Sequence, residues 1–175
     1  MLLLAGSFSI PMPGLLAAQG LLVPIALLAP LALSTVLAYG LTAGDELLEA
    51  VSSRPIAILD TILVYGMTVL MLVVGFALEA GGLTELGAAA GRNSCGYVGL
   101  MLLGRRVVGG QAASLFPAGF ALGVAAFGGD ASGNPRWWAW LLADASDPRS
   151  WLLALTLFAV AAVLRTRGRG IQLST

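Results

Sequence analysis

Few side chains in this sequence could do chemistry, and most of them gather in one stretch. Asp45, Glu46, Glu49 and Arg54 lie in GDELLEAVSSRPIAILD, residues 44 to 60, which Asp60 closes. Leu47, Leu48, Val51 and Ile56 sit between those charges at roughly helical spacing. That pattern suits a short amphipathic helix on a membrane surface or against a soluble partner. The leucines would anchor such a contact and Asp45, Glu46, Glu49 and Arg54 would set its register, making 44–55 a partner-coupling hinge. Elsewhere the polar groups are isolated in apolar surroundings. They are Asp60, the neighbours Arg92 and Asn93, and the tryptophans 137, 138 and 140.

These residues exclude more chemistry than they offer. The chain has no histidine, and its one cysteine is Cys95. Histidine-ligated metal or haem, Cys-His catalysis and an internal disulfide are therefore ruled out. No Walker-type phosphate loop is present. An intramembrane carboxyl protease needs two aspartates in neighbouring spans, and only Asp60 is a candidate. A proton-translocating subunit needs an acid deep in a helix, whereas Asp60 and Glu79 fall near helix ends. The expectation is a non-enzyme with no catalytic residue, metal or cofactor. Nine basic residues balance nine acidic ones, without a basic arm or patch, so nucleic acid is not an expected partner.

The elements that must position these groups follow from composition. With 58% hydrophobic residues, 10% charged and a mean hydropathy of +0.93, the chain reads as a polytopic membrane protein. All nine basic residues are arginine, and the abundance of Ala, Gly and Leu fits a GC-rich bacterial genome. The first thirteen residues, broken by Gly6, Pro11 and Pro13, read as an interfacial or extracytoplasmic lead-in. Spans are expected at about 15–41, 56–78, 82–103, 111–128 and 148–164, with kinks at Pro24 and Pro30. The class is all-α, a single membrane domain of about five helices. Asp60 falls in the first turns of the second span. Arg92 either lies near mid-membrane, where it needs a partner such as Asp60, Glu79 or an acid of another subunit, or sits in a turn that breaks the helix at 91–94. The pairs Gly87/Gly91 and Gly119/Gly123 permit close helix packing. Residues 129–147, with Trp137, Trp138 and Trp140, form an outer aromatic loop or interfacial helix, or a lid over a ligand path.

Five spans place Arg54, the Arg105–Arg106 loop and the tail arginines 165, 167 and 169 on one side. The positive-inside rule makes that side cytoplasmic, with the N-terminus out and the C-terminus in. The expected location is the bacterial cytoplasmic membrane.

The segments PLALSTVLAYGL, DELLEAVSSRP and RNSCGYVGLMLLGRR, with the tryptophan-bearing loop, resemble small actinobacterial membrane proteins linked to ABC transport systems, similar to ABC-2-type permeases. The resemblance implies a membrane subunit that couples through 44–55 to a separate ATPase and exports a hydrophobic or peptide-like substrate. Such permeases commonly have six spans, so a homo- or hetero-oligomeric membrane partner would complete the path. The alternative is a non-catalytic structural or accessory subunit, with Arg92 and the glycine pairs at subunit contacts.

Overall fold

The computed structural model describes residues 9–12, 21–42, 56–130, 132 and 134–172. The hinge at 44–55, with Asp45, Glu46, Glu49 and Arg54, lies outside the described residues. A short antiparallel pair comes first, β1 (Ser9–Met12) with β2 (Leu21–Pro24), in register Ile10 to Val23. Five helices follow among the described residues: α1 (Ile25–Gly40), α2 (Ile56–Ala80), α3 (Gly87–Val108), α4 (Leu115–Phe127) and α5 (Pro148–Gln172). A 3-10 turn, Gln111–Ser114, leads into α4.

The helical class is as expected, but the element boundaries differ for physical reasons. Of the first expected span, 15–41, the described part is strand over Leu21–Pro24 and helix over Ile25–Gly40, because Pro24 is the N-cap, extended at φ −60° and ψ 132°, and ends β2 instead of kinking a helix. An apolar run reads alike whether extended or helical, so hydropathy alone missed the strand. The third helix starts at Gly87, not at 82. α2 ends in a Schellman motif, in which Gly82 takes φ +68°, its N–H donates to the Glu79 carbonyl and the Leu83 N–H donates to the Leu78 carbonyl. At its far end α3 runs on through Arg105 and Arg106, which were expected in a loop. Cations suit the carbonyl end of a helix. The helix is continuous through 91–94, so the alternative of a break there is overturned.

Helix direction alternates along the chain. α1, α3 and α5 run one way and α2 and α4 return. Arg105 Nη2 donates to the Leu41 carbonyl at 2.7 Å and Arg106 Nη1 to the Leu164 carbonyl at 2.7 Å, which gathers the ends of α1, α3 and α5 at one end of the bundle, the arginine end. The opposite end carries the turn 81–86 and residues 128–147 and is the loop end.

α3 is the axis on which the other helices pack. Residues 87–99 are buried without exception. Its small residues allow this, because each approach is too close for a side chain. A Cβ on Gly99 would lie 2.9 Å from Phe158 N and 3.0 Å from its Cα in α5, and one on Gly91 3.2 Å from Leu72 Cα in α2. Gly87 of α3 and Gly75 of α2 meet backbone to backbone. The expected close packing at Gly87 and Gly91 thus falls within the chain. Two apolar clusters result, one at the arginine end around Leu37, Val64, Val98 and Met101, the other at the loop end around Tyr97, Val124, Trp140 and Leu141.

The outer faces are apolar. Ile62 is 62% exposed, Leu122 67% and Leu152 69%, whereas Arg92 and Asn93 are 0% exposed. Among the described residues two helices are long and apolar enough to cross a membrane, Ile58–Ala80 and Pro148–Arg165. Ile25–Gly40 and Gln111–Phe127 are shorter apolar helices. At 1.5 Å per residue α2 extends about 37 Å, beyond a hydrocarbon core of about 30 Å.

The same substitution on two helices separates packing from propensity. Gly99→Ala forces α3 from α5 and should cost about 1–3 kcal/mol. Gly119→Ala on α4, where nothing lies within 4 Å of the added methyl, should be neutral or stabilising by up to about 1 kcal/mol. Thermal midpoints of the two variants in one detergent read the contrast, and equal shifts would contradict the close packing of α3 on α5.

Candidate functional site

The most elaborate polar constellation is built on Arg92, in the second turn of α3 and roughly 8 Å from the helix start. The guanidinium reaches across to the loop between α4 and α5. Nη2 donates to the carbonyls of Trp140 at 2.8 Å and Ala143 at 2.9 Å, and Nη1 to the carbonyl of Asp144 at 2.9 Å and to Ser150 Oγ. Nε and Nη2 also donate to Asn93 Oδ1 at 3.3 and 3.2 Å. Asn93 Nδ2 donates in turn to the Leu141 carbonyl at 3.2 Å. Asp147 and Asp144 add electrostatic attraction.

Local sequence explains why these oxygens need donors. Ala139, Trp140 and Leu141 are buried in a segment that is neither helix nor strand, so their carbonyls have no ladder to join. The planar fork of an arginine is suited to several oxygens at once. The expected partners, Asp60 and Glu79, are corrected. Asp60 is at the arginine end of α2, away from Arg92. Glu79 Oε2 accepts from the Ala88 N–H at 2.7 Å and so caps the N-terminus of α3, where an anion is favoured. Nor is Arg92 at a subunit surface, since it is buried within its own chain.

The three tryptophans part company. Trp137 is 74% exposed. Trp138 is half-buried and edge-on to Phe120. Trp140 is buried, stacked on Phe120 at 4.8 Å between ring centroids and edge-on to Tyr97 at 5.7 Å. Its indole lies in a slot over Gly96, where a Cβ would fall within 2.7 Å of Cζ2 and Cζ3. Trp140 is therefore a core residue. The loop is a run of turns, so the interfacial-helix alternative is overturned for 137–147.

The remaining loop residues close the structure. Asp130 Oδ1 accepts from the N–H groups of Ser132 and Asn134. Asp147 Oδ1 and Oδ2 accept from the N–H groups of Arg149 and Ser150, which start α5 with Pro148 at its first position. Ser150 and Gly96 were not singled out from sequence. The Asp-Pro-x-Ser pattern at 147–150 is a helix-start signal that could have pointed to Ser150, whereas nothing in the sequence pairs Gly96 with Trp140.

Two cavities flank this core. One, of about 360 Å³ at the loop end, is bordered by Pro24, Glu85 and Asp144. The other, of about 470 Å³ at the arginine end, is bordered by Asp60, Arg105, Arg106 and Arg165. Asp60, expected either at the interface or in a polar seam, thus borders a charged cleft. Comparison of the chain with protein-family models, with curated proteins and with solved structures finds no match.

The arrangement around Arg92 is a clamp that holds the 139–147 loop on α3. Arg92→Met leaves the carbonyls of residues 140 and 143 without donors and should cost roughly 3–5 kcal/mol, as in breaking a buried charge network. Arg92→Lys keeps the charge but not the fork and should fall between that variant and the parent. Cys95, the only cysteine and 1% exposed, supplies the readout. Its maleimide labelling in detergent should be slow in the parent, faster in Arg92→Lys and fastest in Arg92→Met, and unchanged labelling would count against the clamp.

Proposed function

We propose that the chain is a multi-pass subunit of the bacterial cytoplasmic membrane, without a catalytic site of its own, that serves as an accessory or structural part of a larger membrane assembly. The observation that carries the reading is the inverted distribution of polarity. The buried helix α3 spends Arg92 and Asn93 on internal hydrogen bonds, while α2, α4 and α5 turn apolar side chains outward. Such a surface suits lipid or the helices of neighbouring subunits, whereas an extensive exposed apolar surface is a liability in water. The arginine end, with Arg105, Arg106 and Arg165, would be cytoplasmic under the positive-inside rule, and the tryptophan loop outside.

A second reading keeps the ATP-driven exporter. Its support is the charged cleft of Asp60, Arg105, Arg106 and Arg165, which lies at the end of the bundle where the chain enters and leaves the 44–55 hinge. A soluble ATPase would dock there. The filled interior favours the accessory reading, because α3 and its neighbours approach to backbone contact along the axis that a substrate would follow.

Purification from the native membrane in mild detergent, with identification of what accompanies the chain, tests the choice. Other membrane subunits without an ATPase are expected. An ATPase that detaches on Glu46→Lys or Glu49→Lys would replace the accessory reading with the exporter. Insertion itself is read by single cysteines in a Cys95→Ala background. Trp137→Cys should react with an impermeant maleimide on intact cells, and Arg167→Cys only after lysis. Reaction of both on intact cells would overturn the topology.

A further inference from the structure

The cleft at the arginine end is lined by more cations than anions. It opens between α2, α3 and α5, encloses about 470 Å³, and has three guanidinium groups, Arg105, Arg106 and Arg165, against one carboxylate, Asp60. Its floor is apolar, formed in part by Leu102 and Ala161. Arg105 spends Nη2 on the Leu41 carbonyl, but its Nη1 is buried and has no hydrogen-bond partner among the described residues. A buried donor left unpaired is costly, and a charged one more so. Arg106 spends Nη1 on the Leu164 carbonyl and is otherwise exposed at the cleft mouth.

Resting on the membrane reading above, we propose that this cleft binds the phosphodiester of an anionic lipid headgroup in the cytoplasmic leaflet. A phosphate supplies the acceptor oxygens that Arg105 Nη1 lacks, and guanidinium forks match phosphate geometry. Basic pockets between helices on the cytoplasmic side are suited to this chemistry. Asp60 repels a doubly charged phosphate and can accept a hydrogen bond from a headgroup hydroxyl. The combination therefore selects a singly charged phosphodiester that carries a free hydroxyl, a glycerol-type headgroup, over a phosphate monoester. Acyl chains would run out along α2 and α5, where Leu63 and Val160, one or two turns from the cleft residues, are exposed.

The test uses the full chain in a neutral detergent, titrated with phosphatidylglycerol, phosphatidic acid, phosphatidylcholine or inorganic phosphate, and reads retained lipid by native mass spectrometry and the thermal midpoint. Phosphatidylglycerol should be retained and raise the midpoint, while phosphatidylcholine does neither. Arg106→Gln, at an exposed position that leaves the core intact, should weaken retention about fivefold, the share of one arginine at an anionic surface. Arg149→Gln at the loop end should leave it unchanged. Asp60→Asn should erase the preference for phosphatidylglycerol over phosphatidic acid. Equal stabilisation by inorganic phosphate would assign the cleft to a soluble anion and overturn the lipid. Equal retention by Arg106→Gln, or no preference over phosphatidylcholine, would overturn the site. Carbonate extraction of cell membranes separates the two readings. A chain that stays in the membrane pellet but shows no headgroup preference loses only the lipid site, and one released by carbonate loses the membrane reading as well.

Discussion

A buried guanidinium and the loop carbonyls that surround it set the terms for the rest of this structure. Arg92 cannot be buried on α3 without oxygens to receive its five N–H groups, and the turns around Trp140 and Leu141 cannot be buried without donors for their carbonyls. Each requirement is met by the other. The helix and the loop are therefore placed together, and the loop carries Trp140 onto Gly96 and Phe120. Ser150 extends the same network to the first turn of α5, whose start is already fixed by Asp147. One side chain thus ties α3 to the loop and to the start of α5, 48 to 58 residues further along the chain.

The glycines of α3 are the complementary constraint. A helix surrounded by neighbours must present small residues in several directions, and α3 does so toward α2 at Gly87 and Gly91, toward Trp140 at Gly96 and toward α5 at Gly99. Glycine weakens an isolated helix by about 1 kcal/mol per residue relative to alanine. Here close packing and the Arg92 network offset that cost. Dispersion contacts and hydrogen bonds carry the association of helices wherever the outside is as apolar as the inside.

What could be read from the sequence follows the reach of each interaction. α2 and α5 were legible because an unbroken apolar run of their length has few other uses. That Arg92 needs a partner was legible from the cost of burying a charge, but the partner was not. Reasoning from residue types searches for a carboxylate, and backbone carbonyls in a loop of turns leave no mark on the sequence. The tryptophans at 137, 138 and 140 show the same limit. All three suit an interface by type, and only the missing side chain at Gly96 puts Trp140 inside. The apolar run at 15–41 hid a change from strand to helix at Pro24, since hydropathy does not distinguish the two.

The two ends of the bundle now differ in kind, and the difference bears on where function can reside. At the loop end four charges are consumed: Glu79 caps α3, Asp147 caps α5, Asp130 closes its turn and Arg92 fills its carbonyl cage. Those four serve architecture. At the arginine end Arg105 and Arg106 each satisfy a carbonyl near the end of another helix and still present guanidinium nitrogens toward a cleft that Asp60 and Arg165 share. A folded chain places spare ionic capacity beside a cavity only at a cost, because unpaired charge near apolar walls is poorly solvated. An anionic ligand or an acidic partner surface at that end removes the cost. Recognition by this chain is therefore to be sought at the arginine end, with the interior and the tryptophan loop acting as the frame that holds the cleft open.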